Sequence, residues 1–179
     1  MHISKVKNAI KVADASLNHE DKLRFIWLSS ASKEMLKDSS GRVYIFVIDG
    51  IIKKIGGSQA KGGIKSTMGN YSGGDIGDPG ESRFVANYEI KEALRKGQNI
   101  EVFLITSTKV RASVKGLFDS EMSDVAPFQE MESRCKNDYR SEIKRFPDWN
   151  YKENNERYPD HIKKAYVVYK NSRTSKKKK

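Results

Sequence analysis

Three side chains in this sequence combine types that could do acid–base work: Tyr44, Lys54 and Glu132. A free phenol titrates near pH 10, too high for a base at neutrality. A neighbouring ammonium stabilises the phenolate and lowers that value. Lys54 is placed to supply one, provided the two side chains share a face. Glu132 begins an apolar stripe, with Cys135, Tyr139 and Ile143 following at helical spacing. Each residue alone has a plainer reading: a core tyrosine, a solvated edge lysine and a solvated helix glutamate. Other chemistries fit poorly. His2, His19 and His161 are isolated and Cys135 is the single cysteine, so no zinc site or histidine-pair metal site can be drawn. The glycines of 57–80 lack the G-x-x-x-x-G-K-[ST] pattern of a phosphate loop. Asp75, Asp78 and Glu81 lie in a loop, without a strand-borne D…E-x-K arrangement.

The element that must position Tyr44 and Lys54 is the stretch 43–56, VYIFVIDGIIKKIG. Asp49-Gly50 is a tight-hairpin signal between two apolar runs. The first run, 43–48, is apolar throughout, which predicts a strand buried on both faces. Register decides whether the chemistry is feasible. A two-residue turn pairs Ile45 with Lys54 and sends Tyr44 to the opposite face. A three-residue connection with a bulge pairs Phe46 with Lys54 and unites them. Residues 99–106 predict a third strand. Helices are expected over 1–18, 19–38 (capped by Asn18), 60–71, 82–96, 127–146 and 160–172, the last with a strand alternative at 165–169.

The hairpin resembles the paired signature of the GIY-YIG nucleases. It is similar to the variant of some type II restriction endonucleases, which reads VY-x-F and ends K-I-G. Val43-Tyr44 stands for the first half, and Lys54-Ile55-Gly56 for the second, with Lys54 replacing a tyrosine. Glu132 and the later Phe146-Pro147-Asp148-Trp149-Asn150 look like the family's glutamate helix and its P-x-W-N ending. The resemblance covers roughly 42–150.

It implies an α+β fold, with a small three-stranded antiparallel sheet flanked by helices and with extra N- and C-terminal helices. The corresponding division is an N-terminal helical extension (1–40), a nuclease domain (41–150), a C-terminal extension (151–175) and a basic tail (176–179). It further implies a DNA endonuclease using Mg²⁺ or Mn²⁺. Tyr44 would be the general base or water-orienting group, Lys54 its cationic neighbour and Glu132 the metal ligand, with Glu130 the rival. Tyr71 would be a second site tyrosine. Gly56 and Asn150 would be structural, near the site, and Gly57 takes the place of a histidine found in some relatives. The family's arginine, counted from Gly56, falls on Lys65; Arg83 is the fallback.

The formal net charge of +11 favours an anionic partner, nucleic acid above all. Lys53, Lys61, Arg83, Lys109, Arg111 and Lys115 are expected to gather around the cleft on double-stranded DNA. A homodimer is left open. One cysteine, no membrane-length run and no signal-peptide core lead to the expectation of a cytoplasmic protein of a bacterial or phage-infected cell. The competing class is a basic DNA- or RNA-binding protein that kept the fold and lost catalysis, a reading that Lys65 in place of arginine keeps alive.

Overall fold

The computed structural model describes residues 1–106 and 109–177, with side chains to 173. Its first regular elements correct the sequence reading. Where helices were expected over 1–18 and 19–38, β1 (Ile10–Leu17) and β2 (Leu23–Trp27) pair antiparallel. Leu23, Phe25 and Trp27 alternate with the exposed Arg24 and Ile26, a period of two that a helical count through Ile26 and Leu28 obscures. Asn18 caps no helix. Its Oδ1 accepts the backbone N–H groups of Glu20 at 3.0 Å and Lys22 at 2.8 Å, and closes the hairpin turn. Only α1 (Lys33–Lys37) is helical here, capped by the Ser32 hydroxyl.

The hairpin of β3 (Arg42–Ile48) and β4 (Ile51–Ser58) forms as expected, but by a different device. Asp49 and Gly50 take φ of 47° and 81°, the two left-handed residues of a type I′ turn. A two-residue turn alone would pair Ile45 with Lys54. Between Phe46 and Val47 the register shifts by one residue, a bulge at Lys53, so Phe46 pairs with Lys54 and Tyr44 with Gly56. Tyr44 and Lys54 therefore belong to one face.

With β5 (Ile100–Thr106) the sheet runs β2-β1-β5-β3-β4, antiparallel throughout. It has five strands, not three, because the N-terminal segment is part of the sheet rather than a helical extension. All seven residues of β3 are buried, as its unbroken apolar run requires. On the Tyr44 face, α2 (Gly63–Ser72) and α3 (Glu81–Arg95) bring Ile64, Met68 and Ile90 against Phe46, Ile48 and Leu104. Burying one such large apolar side chain contributes about 1.5–3 kcal/mol. On the other face, α4 (Phe128–Ile143) sets Met131, Cys135 and Tyr139 against Val43, Ile45 and Ile55. It ends three residues short of the expected 146, where Lys144 turns left-handed at φ 68°.

Between β5 and α4, β6 (Val110–Lys115) and β7 (Ser120–Val125) form a two-stranded hairpin outside the main sheet. The C-terminal α5 (Asp160–Lys177) packs Ile162, Tyr166 and Tyr169 on Phe84 and Val85 of α3. Residues 178 and 179, the end of the expected basic tail, lie outside the described residues. Among the described residues no helix is long and apolar enough to cross a membrane.

Candidate active-site cleft

The site is built along β4, an edge strand of the sheet. An unpaired edge needs partners for its backbone groups, and the segment 148–150 supplies them. The Trp149 N–H donates to the Lys53 carbonyl at 2.8 Å. The Asn150 side-chain amide makes two bonds to Ile55: its Nδ2 donates to the carbonyl and its Oδ1 accepts from the N–H, both at 2.9 Å. Asn150 thus imitates one residue of a further strand. Lys53 anchors the same segment through an ion pair with Asp148 at 2.7 Å.

Just beyond Ile55, two glycines let side chains close in. A Cβ on Gly56 would collide with the Tyr44 hydroxyl, and one on Gly57 with the Glu132 carboxylate. Tyr44 reaches Gly56 from β3, and Glu132 reaches Gly57 from the first turns of α4. Between them lies a cleft of about 320 Å³, bordered also by Lys54, Tyr71, Arg83, Lys136, Asn150 and Glu153.

Tyr44 is fixed on several sides. Its hydroxyl lies 2.5 Å from that of Tyr71, and its ring meets the Phe46 and Tyr71 rings edge-on. Burial raises its pKa above the ordinary phenol value; the Tyr71 hydrogen bond opposes this. Of the surrounding charges, Glu132 and Glu153 raise it further and Lys136 lowers it. Lys54 has no such part, contrary to expectation: its ammonium turns to the Trp149 carbonyl at 3.3 Å, and burial lowers its own pKa. The cation that acts on Tyr44 is Lys136, one helical turn after Glu132.

Lys136 sits between two carboxylates, 2.6 Å from Glu132 Oε1 and bonded to Glu153. Burial lowers its pKa, but the two hydrogen bonds prevail and the net shift is upward. Behind the cleft, Glu89 is buried against Tyr151, whose hydroxyl donates to it, and burial raises Glu89 to about 7.

The remaining expected residues are distributed unevenly. Lys65 is not in the cleft. On α2, Ile64, Thr67 and Met68 are buried and Tyr71 packs against the same core, which leaves Lys65 on the outer side. Its ammonium lies over the Trp27 ring, 5.6 Å from the centroid. Arg83, in the first turn of α3, does border the cleft. Glu130 is exposed, whereas Glu132 borders the cleft. Lys61 is exposed ahead of α2, and Lys109, Arg111 and Lys115 lie on or beside the outer hairpin, so these cations do not gather at the cleft. The sequence reading missed Lys136 and Glu153. Lys136 carries a signal, the i,i+4 spacing from Glu132; Glu153 carries none, lying past the end of the matched motif.

Among the described residues there is no cluster of three or more histidine, cysteine, aspartate or glutamate side chains for a metal. The hard oxygen donors present, Glu132 and Glu153 around Lys136, suit an ion such as Mg²⁺ that keeps most of its water.

No protein-family model matches this sequence, and no curated protein matches it. Two solved structures are similar to it. One is a mutant of EndoII of bacteriophage T4, at 13% identity and a TM-score of 0.53, covering 84% of this chain and 98% of that one. The other is the restriction endonuclease HPY188I in complex with product DNA, at 16% identity and a TM-score of 0.48, covering 78% of each chain. At this identity the EndoII likeness is one of fold.

Proposed function

We propose that this chain is a divalent-metal-dependent DNA endonuclease of the GIY-YIG kind, acting on double-stranded DNA. One observation carries the reading: Tyr44, Tyr71, Arg83 and Glu132, from four different elements, border one cleft beside a pair of glycines that makes room for two of them. The nuclease motifs of the hairpin and the fold likeness to EndoII support it.

Phosphodiester hydrolysis needs an oriented water, charge stabilisation at the phosphate and help for the leaving oxygen. Arg83 has the two-pronged donor that a phosphate accepts, and it replaces Lys65 in that role. Tyr44, kept protonated near neutrality by burial, orients the attacking water through its hydroxyl. Tyr71 holds that hydroxyl in place. Glu132 would hold Mg²⁺ or Mn²⁺, which would supply Lewis-acid stabilisation of the phosphate charge. Asn150 keeps β4 straight where both glycines lie. Lys54 is structural, tying β4 to Trp149.

Supercoiled plasmid incubated with Mg²⁺ should be nicked or cut, and EDTA should stop it. Glu132→Ala should abolish cleavage and leave DNA affinity equal or higher, since a carboxylate near the phosphate is gone. The second reading, a nucleic-acid-binding protein without cleavage, draws on Lys136 already neutralising Glu132. It prevails if the parent binds DNA and cuts none with Mg²⁺ or Mn²⁺.

A further inference from the structure

The β6–β7 hairpin has a tip that no part of this chain covers. Leu117 is 95% exposed and Phe118 98%. Val114 and Met122, just behind them, are also largely exposed. Two adjacent large apolar residues on a projecting turn are an unusual way to meet water, and their burial would contribute about 1.5–3 kcal/mol each.

A groove of matching character lies elsewhere on the chain. Between the N-terminal segment and α4, a cavity of about 600 Å³ is lined by Met1, Val6, Ile52, Ile55, Met131 and Cys135. It is the back face of the catalytic sheet, incompletely roofed by α4. Its rim carries Lys7 and Arg134, which form no ion pair among the described residues. The hairpin tip continues into Asp119 and Glu121. An apolar tip with an acidic flank therefore faces the requirements of an apolar groove with a basic rim.

The arm does not have the charge of a DNA-binding element. Over 109–125, Lys109, Arg111 and Lys115 are balanced by Asp119, Glu121 and Asp124. Arg111 lies opposite Asp124 in the ladder. Phosphate binding calls for a net positive stripe, so a protein surface is the better occupant.

We propose that the hairpin is a dimerisation arm: Leu117 and Phe118 of one copy enter the groove beside α4 of a second copy. A two-fold axis makes the exchange reciprocal, so each dimer buries two tips in two grooves. Asp119 and Glu121 then meet Lys7 and Arg134 of the other copy. The two clefts are thereby joined in one particle without either arm entering them.

Cys135 provides the test, because it lines the groove and is the only cysteine. Phe118→Cys under mild oxidation should give a disulfide-linked dimer on a non-reducing gel. The link should vanish in Phe118→Cys combined with Cys135→Ser. In sedimentation the parent should have twice the 20.4 kDa chain mass, and Leu117→Ser/Phe118→Ser should be monomeric. Both positions are solvent-exposed, so circular dichroism should show an unchanged fold. A covalent dimer that survives Cys135→Ser means tip-to-tip pairing and overturns the proposal. So does a monomeric parent, or a double-serine variant that still dimerises.

Discussion

The Lys136 ammonium lies 2.6 Å from Glu132 Oε1, on the next turn of α4, and it also bonds Glu153. A single positive charge thus stands where the proposed metal would bind. The ammonium and a dication compete for the same carboxylates. Lys136→Ala should therefore bind Mn²⁺ more tightly in the absence of DNA, by about tenfold, or ~1.4 kcal/mol. Titration calorimetry with Mn²⁺ checks it. Weaker binding by the variant would mean that Lys136 holds the carboxylates in place for the metal rather than opposing it.

The two glycines predict different failures. Gly56 faces the Tyr44 hydroxyl, and that ring is locked among Phe46 and Tyr71. Gly56→Ala must move a packed aromatic, so it should lose about 1–3 kcal/mol of stability as well as activity. Gly57 faces the end of the Glu132 side chain, which can swing aside. Gly57→Ala should fold nearly as well as the parent yet cut poorly. Urea unfolding and plasmid nicking, run on both variants, separate the two effects.

Arg83 and Lys65 offer the sharpest contrast for the phosphate contact. Arg83→Ala should reduce the cleavage rate by about 10²–10³, the usual loss for one transition-state donor. Lys65→Ala removes only a contact with the Trp27 ring and should cost about 0.5–1 kcal/mol of stability. Its cleavage rate should match the parent's. Single-turnover rates on plasmid DNA decide. A dead Lys65→Ala beside an active Arg83→Ala would return the role to Lys65.

The hairpin was legible because its signals are local: Asp49-Gly50, an unbroken apolar strand and a matched motif at each end. The demand that Tyr44 and Lys54 share a face also read through to the observed Phe46–Lys54 pairing, although a bulge at Lys53 and not a longer turn achieves it. The N-terminal strands were not legible. Leu23 to Leu28 is a short apolar run in which periods of 2 and 3.6 compete, and its partner β5 lies far along the chain. Counting from Gly56 to Lys65 failed for a related reason. A count along the chain does not say which side of α2 faces the sheet, whereas the apolar spacing of Ile64, Met68 and Tyr71 does. Lys136 and Glu153 needed the fold, since tertiary packing brings 153 beside α4.

The last prediction concerns Glu89, whose pKa is raised to about 7 by burial, with the Tyr151 hydrogen bond and the Lys54 charge opposing the shift and Glu92 and Asp148 adding to it. A raised folded-state value means that the folded protein holds this proton more tightly than the unfolded chain, whose value is near 4.5. The stability from this group is therefore complete below pH 4.5 and falls as pH climbs towards 7. At about 1.4 kcal/mol per pKa unit the loss is on the order of 3 kcal/mol. Glu89→Gln keeps an oxygen to accept the Tyr151 hydroxyl and cannot ionise. Its stability should change less than the parent's between pH 5 and pH 8, and at pH 8 it should be the more stable of the two. Urea unfolding at both pH values measures this. A parent that gains stability towards pH 8 relative to Glu89→Gln would mean that Glu89 is ionised and held by Lys54 in the folded protein.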